Sequence, residues 1–76
     1  MTDLPHTAAA YRDTERALLA AIEANTTAFK HHRTTNTAAT LRAWERTIGA
    51  VQTARDAHDQ AADQLVTAAL NHTCGA

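Results

Sequence analysis

The sequence predicts an all-α chain: an antiparallel two-helix hairpin that dimerises into a four-helix bundle. Three observations predict it. Apolar residues recur every three or four positions in two long stretches, first Tyr11, Leu18, Ile22 and Phe29, then Leu41, Trp44, Ile48, Val51 and Leu65, which is the period of one helical face. A short polar tract, Arg33-Thr34-Thr35-Asn36-Thr37, separates the two stretches. Alanine, the best helix former, makes up a quarter of the chain, and no proline falls inside either stretch.

Residues 1–76 read as one helical-hairpin domain. Helix one is expected over about 5–32. Asp3 is a candidate cap, and Pro5 suits the first helical turn, where a missing N–H costs nothing. Ala8, Tyr11, Glu15, Leu18, Ile22, Asn25 and Phe29 fall on one face. Lys30, His31, His32 and Arg33 close the helix, where cations oppose the negative end of its dipole. The turn is expected at 33–36, with Asn36 or Thr37 capping the second helix. Helix two is expected over about 37–71, with Leu41, Trp44, Ile48, Val51, Arg55, His58, Ala62, Leu65 and Ala69 on its face. Gly49 lies on its flank, where close approach of a neighbouring helix would explain a residue that lowers helix propensity. Asn71 to Ala76 reads as a frayed end, with Gly75 past the helix.

A turn centred near residue 35 sets Phe29 against Leu41, Ile22 against Ile48, and Leu18 against Val51. It places Trp44 level with Asn25 and Thr26. It also sets Glu15 against Arg55 and Tyr11 near His58. Tyr11, Glu15, Arg55 and His58 are therefore expected to form a buried polar network that fixes register. On that reading Glu15→Ala costs more than the same change combined with Arg55→Leu, because it strands a charge. A proton-handling site is the functional alternative, but no nucleophile or phosphate cradle accompanies it.

Large apolar side chains are few, with one Trp, one Tyr and one Phe, and alanine buries little area. A lone hairpin of this kind is marginal, and pairing of two hairpins into a homodimer is the expected remedy. Leu19 and Val66 widen the apolar stripe. The rows Ala10, Ala17, Ala24 and Ala43, Ala50, Ala57 suggest the second interface.

The net charge of −1 lacks the basic excess of a dedicated nucleic-acid binder. Lys30, His31, His32, Arg33, Arg42 and Arg46 nevertheless gather at the turn end as a candidate basic tip for a partner. There is no serine for a hydrolase triad and no glycine-rich loop. No Glu is followed by His three residues later, as carboxylate-bridged metal bundles require. The adjacent His31 and His32 point about 100° apart on a helix. His6, His72 and Cys74 share one end and form the weak remaining case for zinc. Asp56, Asp59 and Asp63 read as a solvated face.

No apolar run is long enough to span a membrane, no leader is visible, and the single cysteine makes no internal disulfide. These points suit a cytoplasmic bacterial or phage protein. In shape alone the architecture is similar to small plasmid RNA-binding hairpin dimers. The expected function is a non-enzymatic protein–protein interaction or adaptor module without a cofactor. The alternative is a nucleic-acid-associated regulator using the basic turn end, marked by salt-dependent retention that is lost on substituting Lys30 and Arg33.

Overall fold

Threonine and alanine, more than the large apolar residues, decide how the two helices meet. The computed structural model describes residues 4–74, and of Cys74 only the backbone. Helix α1 spans Leu4–Thr35 and α2 spans Ala38–Cys74, and the two pack against each other as an antiparallel hairpin. Asp3 and Gly75, expected at helix ends, lie outside the described residues.

Ala8, Ala9, Ala10, Ala43, Ala62 and Ala69 are half-buried beside a stripe of buried and half-buried positions that recurs with strict three-four spacing. In α1 the stripe is Leu4, Thr7, Tyr11, Thr14, Leu18, Ala21, Asn25, Ala28 and His32; in α2 it is Thr40, Trp44, Thr47, Val51, Ala54, His58, Ala61, Leu65 and Ala68. This is a heptad seam, the pattern that keeps two helices in continuous contact.

Two hydrogen bonds across the seam set its register. Asn25 Nδ2 donates to Thr47 Oγ1 at 3.0 Å, and His32 Nδ1 lies 2.9 Å from Thr40 Oγ1. Followed along the rod, this register sets large against small in most layers: Leu4 with Ala68, Leu65 with Thr7, Tyr11 with Ala61, His58 with Thr14, Leu18 with Ala54, Val51 with Ala21, and Trp44 with Ala28. Facing volumes then stay even, so the axes run close and level. The outcome is a slender rod of 59 × 13 × 13 Å.

Threonine tolerates the seam because its hydroxyl is satisfied locally. Thr7 Oγ1 donates to the Leu4 carbonyl at 3.0 Å, Thr14 Oγ1 to that of Tyr11 at 2.9 Å, and Thr47 Oγ1 to that of Trp44 at 2.6 Å. This back-bonding within one turn leaves no hydroxyl needing a partner on the other helix.

The connection is short, and the N–H groups of both its residues, Asn36 and Thr37, are hydrogen-bonded. Asn36 takes a left-handed φ of 47°, and its N–H donates to the His32 carbonyl at 2.7 Å, the αL arrangement that ends many helices. Thr37 then caps α2. Its Oγ1 accepts from the Thr40 N–H at 3.2 Å, while Thr40 Oγ1 accepts from the Thr37 N–H at 3.0 Å. This is a capping box with threonine in the place usual for Glu or Gln. Asn36→Val is expected to cost about 1–2 kcal/mol, the penalty of a branched residue at positive φ. A lowered thermal midpoint would show it, whereas Asn36→Gly should lose nothing.

Several sequence expectations need correction here, among them Leu18 against Val51: the register set by Asn25 with Thr47 and His32 with Thr40 places Leu18 level with Ala54 instead. Helix α1 continues through Thr34 and Thr35 until the Asn36 cap, and α2 remains helical through Asn71 to Cys74. The pairs Ile22 with Ile48 and Phe29 with Leu41 flank the seam and stay exposed. Trp44 is set against Phe29 and His32, further towards the turn than Asn25 and Thr26. Nothing in the hairpin comes within 4 Å of a Cβ built on Gly49, because its position in the heptad faces outward.

Candidate interaction surface

The polar residues read as one buried network divide between two places. Tyr11 and His58 are half-buried in the seam, with ring centroids 4.8 Å apart. His58 Nδ1 lies 3.9 Å from the Asp59 carboxylate, and His58 Nε2 is buried without a hydrogen-bond partner. Glu15 and Arg55 are exposed, and among the described residues no ion pair joins them. They occupy the heptad position next to the seam, so water solvates both charges. Removing Glu15 therefore strands nothing, and Glu15→Ala is expected within about 0.5 kcal/mol of the parent hairpin. His58→Leu should instead stabilise the hairpin by about 1 kcal/mol, since it removes a buried polar atom that lacks a partner. A denaturant midpoint that falls would count against this account of His58.

At the turn end an aromatic group closes the seam. Trp44 lies 5.0 Å from the Phe29 ring and 5.8 Å from His32, centroid to centroid, and the Arg33 guanidinium sits 5.9 Å from the Phe29 centroid. Of the residues expected in a basic tip, His32 belongs to the seam, whereas Lys30, His31, Arg33, Arg42 and Arg46 are exposed. Their heptad positions distribute them around the end of the rod. Arg33 lies on the Phe29 side, His31 on the opposite side, and Lys30 and Arg42 on the outer faces of the two helices. A shallow open hollow is lined by Lys30, Arg33 and Thr34. Arg42 makes no ion pair with Glu45, whereas Arg16 lies 4.0 Å from the Asp13 carboxylate.

The two long sides of the hairpin differ. One carries a ladder of neighbouring residues, each pair offset by two residues from the seam register: Ala8 with Ala62, Glu15 with Arg55, Ile22 with Ile48, and Phe29 with Leu41. Ile22, Phe29, Leu41 and Ile48 each keep between 37 % and 40 % of their surface in solvent. Leu19 and Val66, behind this ladder, are more than half exposed. The other side carries Ala10, Ala17 and Ala24 of α1 and Ala43, Ala50 and Ala57 of α2. It is smooth but offers little apolar area. The sequence paired Ile22 with Ile48, Phe29 with Leu41 and Glu15 with Arg55, but took them for the interior because size and hydropathy alone cannot separate a seam from the position beside it.

Asp56, Asp59 and Asp63 are exposed, as are His6 and His72. Among the described residues no group of three or more His, Cys, Asp and Glu is placed to hold a metal ion, and no helix is long and apolar enough to cross a membrane. Comparison with protein-family models, curated proteins and solved structures finds no match to this chain.

Proposed function

We propose that this chain is a non-enzymatic interaction module: a rod that pairs with a second copy of itself into a four-helix bundle and offers its remaining faces to a protein partner. The observation that carries this reading is surplus surface. The chain exposes 5644 Å². A compact monomer of 8.2 kDa exposes about 4,500 Å², leaving an excess of about 1,100 Å². A standard protein interface covers about 800 Å² of each partner, so pairing would remove an excess of this size. The excess includes the exposed Ile22, Phe29, Leu41 and Ile48 on one side, and exposed apolar patches mark association sites.

Sedimentation equilibrium of the full chain tests the reading. The expected mass is twice the 8.2 kDa of one chain at micromolar concentration. A monomer that persists into the millimolar range would overturn it.

A further inference from the structure

We propose that the second copy docks on the side bearing Ile22, Phe29, Leu41 and Ile48, with both turns at the same end, so that Glu15 of each chain pairs with the partner's Arg55. The proposal rests on the self-association reading above and adds the face, the orientation and the residues that select it.

The face follows from area. Of the two unpartnered long sides, only this one presents large apolar side chains, and Leu19 and Val66 extend it. The alanine side would bring backbones together but would take little apolar surface out of water.

The orientation follows from the order of rungs along the ladder. With turns together, the two-fold axis runs along the rod and sets α1 of one copy against α2 of the other. Ile22 then meets the partner's Ile48, and Phe29 meets the partner's Leu41. Glu15 meets the partner's Arg55, and Ala8 meets the partner's Ala62. Every rung finds its own kind, as a self-complementary two-fold interface requires. With turns at opposite ends and the rods fully overlapped, the Ile22–Ile48 rung falls on the partner's Glu15–Arg55 rung. That would desolvate four charged groups against hydrocarbon.

A competing term is the charge of the two ends. Residues 23–49 carry Lys30, Arg33, Arg42 and Arg46 against Glu23 and Glu45, a net +2; the remaining described residues carry Arg12, Arg16 and Arg55 against Asp13, Glu15, Asp56, Asp59 and Asp63, a net −2. Like ends therefore repel when the turns meet. These charges are exposed and distributed around the tip, and physiological salt screens them beyond about 8 Å. Desolvation in direct contact outweighs screened repulsion at that range.

The test is a charge exchange on the full chain, read as the dimer dissociation constant by sedimentation, with helicity checked by circular dichroism. Glu15 and Arg55 are exposed in the hairpin, so neither reversal should unfold it. Glu15→Arg alone and Arg55→Glu alone should each weaken self-association by about tenfold or more, because each sets like charges opposite one another. An equimolar mixture of the two variants should recover a heterodimer near the parent affinity, since each chain then supplies what the other lacks. Singles that dimerise like the parent would overturn the choice of face. Singles that weaken without rescue on mixing would overturn the orientation. A parent chain that is monomeric throughout would overturn the self-association reading, and this proposal with it.

Discussion

Trp44→Ala is expected to cost about 3 kcal/mol, the lower end of the range for deleting a large core aromatic, because Trp44 is half-buried. Trp44 is the largest seam residue and lies level with Ala28, whose small side chain leaves room for the indole. Its ring also touches Phe29 and His32, so deletion removes area and two ring contacts together. A domain of this length has about 4–11 kcal/mol of total stability, so such a loss would remove about a quarter to three-quarters of it. Urea titration followed by far-ultraviolet circular dichroism measures the effect. Trp44→Phe should retain more than half of the lost stability. A loss below about 1 kcal/mol for Trp44→Ala would show that the turn-end aromatic group does not anchor the seam.

Ala61→Leu should cost about 1–3 kcal/mol, even though it adds apolar atoms to an interior position. Ala61 is 6 % exposed and lies level with Tyr11 in the seam register, so the added branch has little free space to enter. Relief requires the helices to part, which opens the neighbouring layers of Leu18 with Ala54 and Leu65 with Thr7. Tyr11→Ala is destabilising alone for the opposite reason, a cavity. Combined with Ala61→Leu it should cost less than the two losses added together, with a coupling of about 0.5–3 kcal/mol in a double-mutant cycle. Additivity of the two would contradict the large-against-small seam.

The hairpin itself was legible in the sequence because its determinants are local. Alanine content, uninterrupted three-four spacing and the Thr-Asn tract are properties of neighbours along the chain. Thr37 caps α2 and Asn36 supplies the left-handed residue for reasons visible in their own side chains. The order in which Ile22 and Ile48, Phe29 and Leu41, and Glu15 and Arg55 follow one another along one side was also legible, since it depends only on where the turn lies.

The rotation of each helix about its own axis was not legible. The stripe through Tyr11, Glu15, Leu18 and Ile22 and the seam through Tyr11, Thr14, Leu18 and Ala21 share every second member. Hydropathy favours the first because isoleucine outweighs alanine and threonine scores as polar. Packing favours the second, because only small residues facing large ones let two helices touch along their full length. Threonine could enter that seam because its hydroxyl turns back to its own helix, which no hydropathy value records.

The sequence by itself determined two helices and the turn between them, since each is a matter of spacing along one chain. Tertiary structure alone decided which of two adjacent stripes became the interior. That choice depends on the combined volume of residues facing across the seam, and it leaves Glu15, Ile22, Phe29, Leu41, Ile48 and Arg55 on the outside.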